Sequence, residues 1–533
     1  MQKKDSSPHY DAVIIGGGIA GLIVGNILTY NGLKSIIVEK NYKTGGYVTN
    51  FTRGDYRFDA VIHFINGCGS GGMVNQILKS FKGENVVDWL KLKEIFHWVD
   101  VDNKYELHVP ISLEEQVETL VKEFPHEEHG IRKFYARYSK VVIWLMSWFT
   151  KGFFGKVWLW LSKFPTFVRF ITHVGKPIKN IIDPYISDPI LKEMMTALCI
   201  SFGMFRDEMS AMTWLMSEMS YRLEGAWYPI GGGGKLSKGL NDLFLERGGK
   251  VILNAKVTEL IVENKQAIGI RYVKKNKDYK KDKNTKITRE IFGNYIINDI
   301  DLTNFVNNIA PKNTFSDKFV QKINNKDTTD SSVVVFIGLD FDVKDYGIND
   351  YELWRFYKSN ATKANLEYIH HSMDYQNLPI EMITFYSNGD TTCCPKGKTC
   401  LSMIYYAHTE DWKVHLENGK RGKHYKELKK KVADQFVDIL SNAIKIPDLK
   451  SHIEVIEVST PLTLQRYCET KNGAHMGFRM TPELSMLEPV GNQSPIRNLI
   501  FTGQWCRPGG GVSASMLGGL SAAELILKKH SRN

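Results

Sequence analysis

The sequence predicts an α/β protein with a Rossmann-like unit near its start. Two observations point there. A strand, glycine turn, helix and second strand follow one another between Tyr10 and Lys40, and helix-opening glycine turns recur at Gly231–Gly234 and Pro508–Gly511.

Asp11-Ala12-Val13-Ile14-Ile15 reads as a short buried strand, Gly16–Gly21 as the turn, and Leu22 to Leu28 as a small-apolar helix. Ser35-Ile36-Ile37-Val38 is the next strand, closing on Glu39-Lys40. Ile131 to Pro189 is helically spaced and rich in Trp, Phe, Lys and Arg. After Gly231–Gly234 a helix leads into strand-like Lys250–Leu253 and Val257–Val262. The Lys- and Asn-dense run from Lys274 to Arg289 reads as a solvated hairpin tip or flexible loop. Strand-like runs return at Ser332–Leu339, Glu381–Tyr386 and Thr399–Ala407, with a helix over Lys426–Ile444. Strand Leu499–Phe501, the last glycine turn and helix Ser513–Lys528 end the chain, which shows no internal repeat.

Length and composition narrow the class. The 533 residues allow several domain-sized units, and 43% hydrophobic with 24% charged residues is ordinary globular usage. A net charge of +11 favours anionic partners without choosing among nucleic acid, acidic lipid and a phosphate-bearing cofactor. Seven cysteines, with no CxxC pair, argue against a disulfide framework, and no metal is expected. The polar N-terminus lacks a signal-peptide core, so the expected location is cytoplasmic.

Gly16-x-Gly18-x-x-Gly21 follows a strand, opens a helix and is answered by Glu39 at the end of the next strand, which is the context a dinucleotide fingerprint needs. Gly16 permits the turn, Gly18 lets backbone approach a pyrophosphate, and Gly21 lets helix and strand pack. With Ile19 and Ala20, these residues offer the helix N-terminus. Glu39 can accept ribose hydroxyls and disfavours a 2′-phosphate, so the cofactor is FAD or NAD. FAD is favoured by the further glycine pair Gly45-Gly46 after Lys40, by the C-terminal glycine turn, and by the single fingerprint.

Gly16–Gly21, Glu39-Lys40 with Gly45-Gly46, Phe58-Asp59, Tyr228-Pro229-Ile230-Gly231-Gly232, Thr460-Pro461-Leu462-Thr463 and Thr502–Trp505 with Pro508–Val512 stand in order along the chain. The pattern resembles the phytoene desaturase, carotenoid isomerase and retinol saturase family of FAD-dependent oxidoreductases, which are amine-oxidase-like flavoproteins. The resemblance implies a glutathione-reductase-type FAD-binding domain built from discontinuous segments, with an inserted α+β substrate domain and amphipathic helices. The expected boundaries are 8–90, 226–312 and 493–533 for the FAD-binding segments, and 91–225 and 313–492 for the substrate-facing ones. It assigns Gly16, Gly18, Gly21, Glu39 and Gly46 to the adenosine and pyrophosphate end, Val257 to the adenine, and Gly503, Gly510, Gly511 and Val512 to the pyrophosphate and flavin end. Two departures stand out: Tyr47 where many relatives have Arg, and Val61 where many have Gly.

His63, in Phe58–Phe64, has two readings: a half-buried histidine lining the cofactor pocket, or a proton donor or acceptor beside the flavin. The aromatic and basic stretch also has two. Trp144, Trp148, Phe149, Phe153, Phe154, Trp158, Trp160, Phe164, Phe167 and Phe170 alternate with Lys140, Lys151, Lys156, Lys163 and Arg169. Its apolar run is shorter than the roughly 20 residues a spanning helix needs. It is either a helix in the interface of an anionic membrane, which would place the protein at a membrane's inner face, or an internally packed helix pair.

The expected function is FAD-dependent chemistry on C–C or C=C bonds (desaturation, saturation or isomerisation) of a lipophilic polyene isoprenoid such as a carotenoid or retinoid. A flavin amine oxidase and a non-catalytic flavin-containing lipid carrier are the alternatives. No nucleic-acid partner is expected, because no reader motif is present. The sequence leaves the oligomeric state and the direction of reaction open.

Overall fold

The computed structural model describes residues 8–150, 164–173, 175–274, 288–358, 368–369, 371–487 and 489–531. Two large sheets organise them. The first has the strand order Lys250–Ile252, Ser35–Val38, His9–Ile15, Thr288–Asn298, Gln266–Lys274, Ala255–Glu263, with Leu499–Phe501 also paired to Thr288–Asn298. Its first half is parallel, and the Ala255–Asn298 part is an antiparallel meander. Three stretches of chain far apart in sequence therefore build one Rossmann-like sheet.

Strand His9–Ile15 is buried from Ala12 to Ile15 because helices cover one face and the meander's core the other, so its sequence is a continuous apolar run. Helix Ile19–Tyr30 is buried along all but its last residue. It packs against helices Gly233–Glu246 and Val512–His530, each opened by one of the other two glycine turns.

The second sheet runs Ile453–Ser459, Ser331–Leu339, Thr399–Ala407, Ile380–Phe385, Glu352–Phe356, Glu94–Asp100, Tyr105–Pro110. Its central strands are buried on both faces and read as mostly apolar runs; Ile453–Ser459, at the edge, alternates, with Glu454 and Ile456 exposed. Charged residues of this kind hid the edge strands Ile453–Ser459 and Tyr105–Pro110, and Glu94–Asp100 beside the latter, from the sequence reading.

Between Gln266–Lys274 and Thr288–Asn298 the flanks of the Lys-rich run pair as a hairpin; 275–287 lie outside the described residues. The aromatic stretch forms helices Glu128–Thr150 and Phe164–His173. Lys151, Phe153, Phe154, Lys156, Trp158, Trp160 and Lys163 lie outside the described residues, as do the side chains of Trp148, Phe149, Phe164, Phe167, Arg169 and Phe170. Trp144 belongs to the core with Phe134, Tyr138 and Val141, so the first half of this stretch follows the internally packed reading. No helix among the described residues is long and apolar enough to cross a membrane.

Candidate active site

The first and last glycine turns, Gly16–Gly21 and Pro508–Gly511, meet at one cavity of about 1360 Å³ between the two sheets, and Gly231–Gly234 stands apart from it. Gly16, Gly18, Ile19, Ala20, Glu39, Lys40, Gly45, Gly46, Val257, Gly503, Gly510, Gly511 and Val512 all line it, and so does His63. Gly21 does not. A Cβ on Gly21 would stand 2.6 Å from the Gly16 carbonyl oxygen and 3.2 Å from Ile14 Cγ2, so its role is the close packing of helix on strand.

Helix Ile19–Tyr30 starts at Gly18 and helix Val512–His530 at Gly511, glycines with no side chain to cap the first turn, and neither first turn carries an acid. Both therefore present backbone N–H groups and the positive end of a helix dipole to the cavity. At φ +99°, with no atom within 4 Å of where a Cβ would stand, Gly511 keeps the second of these N-termini open.

Glu39 is buried, and its carboxylate accepts from Gly17 N at 2.8 Å and Asn41 N at 2.7 Å. The fold thus holds the acid at the cavity wall before any ribose reaches it. Lys40 donates to the Arg466 carbonyl and pairs with Glu469 at 3.5 Å, so it ties the glycine loop to the inserted segment. Tyr47 donates to the Ala474 carbonyl oxygen at 2.7 Å and stacks on His475. It braces the wall and brings no charge to it.

Asp299 escaped the sequence reading. It follows strand Thr288–Asn298, accepts from Gly21 N at 2.8 Å and also bonds Gly18 N. Burial pushes its carboxyl up to about 8. It therefore caps the helix in its neutral form near pH 7 and adds no anion at the cavity wall. The signal that could have found it is an acid directly after Tyr295-Ile296-Ile297-Asn298, a strand concealed beside the Lys-rich run.

Phe58-Asp59 and Tyr228–Gly232 meet in space. Asp59 accepts from Tyr228 Oη at 2.5 Å and from Gly233 N at 2.9 Å, which caps helix Gly233–Glu246. Burial raises its carboxyl to about 6. This pair joins two chain segments and leaves the chemistry to others.

At the far side of the cavity His63 Nδ1 lies 3.0 Å from Glu352 Oε1 and 2.7 Å from Thr384 Oγ1, and Thr384 donates to the same carboxylate at 2.8 Å. Trp354 Nε1 donates to the other oxygen of Glu352. Tyr351 and Tyr386 donate to the carbonyls of His63 and Ile62, which fixes the loop carrying the imidazole. Behind it the walls are apolar: Leu145, Phe202, Met212, Met382, Ile404 and Met480. His475, also lining the cavity, is driven down to about 4 by burial and so stays neutral. Glu224 brings a buried carboxyl that burial raises. None of these partners was legible in sequence, because they come from the second sheet and from helical and loop segments far from His63 along the chain.

A family profile described as an NAD(P)-binding Rossmann-like domain matches residues 14–81. The chain is 26% identical to a chloroplastic prolycopene isomerase of Daucus carota, over 98% of this chain and 80% of that one. It is 23% identical to an all-trans-retinol 13,14-reductase of Danio rerio, over 98% and 86%. Over nearly its whole length the chain is thus similar to prolycopene isomerases and all-trans-retinol 13,14-reductases. It is an enzyme of the oxidoreductase class, and the Rossmann-like profile with these relatives implies a flavin or nucleotide cofactor. An oxidoreductase from Methanosarcina mazei superposes with a TM-score of 0.62 at 15% identity, covering 96% of this chain and 99% of that one, which shows the shared fold.

Proposed function

We propose that the chain holds FAD and uses it to desaturate, saturate or isomerise C–C and C=C bonds of a lipophilic polyene isoprenoid such as a carotenoid or retinoid. The observation that carries this reading is one cavity that joins two helix N-termini and a ribose-facing acid to an apolar chamber lined in part by the second sheet. The cofactor fits what surrounds it: glycine backbone at the pyrophosphate end, neutral Asp299 beside it, and Val257 at the adenine position. When bound, FAD supplies the two-electron exchange with a carbon centre.

The protein's own residues do the rest. Met, Phe and Ile side chains position a substrate with few polar handles and exclude water. Glu352 takes the Nδ1 proton of His63, which leaves Nε2 as the nitrogen that exchanges a proton with substrate carbon. Thr384 and Trp354 hold Glu352 in place for that task.

Apolar extracts compared between a host making the wild type and one making Gly18→Glu test the reading. A difference in conjugation length or double-bond geometry supports it and gives the direction; identical extracts, or reduction of the wild-type flavin by simple amines, sink it. Such a substrate partitions into bilayers, so we further propose that the protein meets its substrate at an anionic membrane surface. The surplus of 11 positive charges and the exposed Ile143, Val168 and Phe205 support this. Flotation with anionic and neutral vesicles checks it, and binding to neither rejects it.

A further inference from the structure

His475 lines the cavity, yet the proton transfer assigned to His63 gives it no task. Its backbone is held from two sides. His475 N donates to the Asp330 carbonyl at 3.1 Å and Met476 N to Thr329 Oγ1 at 2.9 Å, both at the entry to strand Ser331–Leu339. On the other side the segment lies against the last glycine turn: a Cβ on Gly477 would stand 2.5 Å from the Gln504 carbonyl oxygen, and one on Gly510 would strike the Met476 carbonyl. The imidazole therefore sits at the end of the cavity lined by Gly503, Gly511 and Val512, with the Tyr47 ring stacked on it.

The ring's partners fix its tautomer. Nδ1 lies 3.2 Å from Ser332 Oγ, and Ser332 is fully buried in its strand. Among the described residues that hydroxyl has no other hydrogen-bond partner, so its proton goes to Nδ1; the reverse bond would leave a buried O–H without an acceptor. Nε2 then carries the ring's hydrogen. It has no partner among the described residues and is not sealed off from the cavity. Burial, and then the His63 imidazole nearby, keep the ring neutral at pH 7. A buried donor that lacks an acceptor points to a ligand. A conjugated hydrocarbon chain offers no acceptor, whereas a flavin ring has carbonyl oxygens and ring nitrogens that gain electron density on reduction.

We propose, on the reading that the cavity holds FAD, that His475 Nε2–H donates a hydrogen bond to the flavin ring and stabilises its reduced form, with Ser332 as the positioning residue that keeps the hydrogen on Nε2. The two imidazoles then divide the work. His63, backed by the Glu352 carboxylate, moves a proton; His475, backed by a hydroxyl, supplies a fixed neutral donor.

The test measures the two-electron reduction potential of FAD bound to the full-length protein, by anaerobic equilibration with a reference dye, together with the affinity for FAD. His475→Leu removes the donor and should favour the oxidised form about tenfold more than wild type does, a potential about 30 mV more negative. Ser332→Ala leaves the imidazole in place and should move the potential the same way by less. His475→Gln restores an N–H donor and should recover part of the loss. Equal potentials in wild type, His475→Leu and Ser332→Ala overturn the proposal. So does weaker FAD binding at an unchanged potential, which would direct the N–H to the ribityl or pyrophosphate part. Should His475→Leu hold no FAD, a Ser332→Ala potential equal to that of wild type overturns it. A wild type that takes up no FAD sinks the reading of the cavity itself, and this proposal with it.

Discussion

The two ends of the cavity are built by different means. At the cofactor end the fold works through backbone: the Gly16–Gly21 and Pro508–Gly511 turns, the helix N-termini behind them and close helix–strand packing at Gly21. At the substrate end it works through side chains carried by strands distant from His63 in sequence, with Glu352 and Thr384 standing 289 and 321 residues away. A backbone site tolerates almost no added volume, whereas a side-chain site can lose one partner and keep its shape.

The contrast gives its largest effect at Gly18. A Cβ there already meets Asp299 Oδ2 at 2.7 Å, so Gly18→Glu should give protein without cofactor absorbance and without turnover, as absorption spectroscopy and extract analysis will show. Retained cofactor would mean that side chains, too, hold that end.

Next comes His63→Gln. If the imidazole moves a proton, turnover should fall by about 10²–10⁴-fold with cofactor fully bound. Unchanged turnover would reduce His63 to a wall residue. Glu352→Gln should follow in the same direction with a smaller loss, since it acts through His63.

Smaller still is the effect at Asp59. Tyr228→Phe removes one buried hydrogen bond to its carboxylate and should lower stability by about 1–3 kcal/mol in denaturant titration, leaving the absorbance of bound cofactor unchanged.

The effect at Asp299 is read against pH. Asp299 titrates near 8 in the fold but at about 3.9 in an unfolded chain, so the folded state holds the extra proton between those values. Stability is therefore lost as pH rises through that window, and Asp299→Asn, which keeps an acceptor for Gly21 N, escapes the loss. Its melting temperature relative to wild type should climb steadily from about pH 5 to about pH 9. A difference independent of pH would place the ionised carboxylate at the helix N-terminus instead.

Where neighbours in sequence are neighbours in space, reading was direct. The strands Ser35–Val38, Thr399–Ala407 and Leu499–Phe501 lie where their apolar runs place them, because buried strands need little beyond their own residues to be recognised. Strand Thr288–Asn298 was hidden by charge at its exposed start, and Asp299 was hidden with it. His63 was visible as a residue, but its partnership with Glu352 was not.

By itself the chain's order of residues determined the nucleotide end, since a glycine turn between strand and helix encodes its own geometry within about a dozen positions. Only tertiary structure decided what faces it. Pairing of strands hundreds of residues apart brought Glu352, Thr384 and the apolar walls to His63, and packing set His475 against Ser332. Long-range contacts of this kind follow from how whole sheets bury their faces, which no local spacing records.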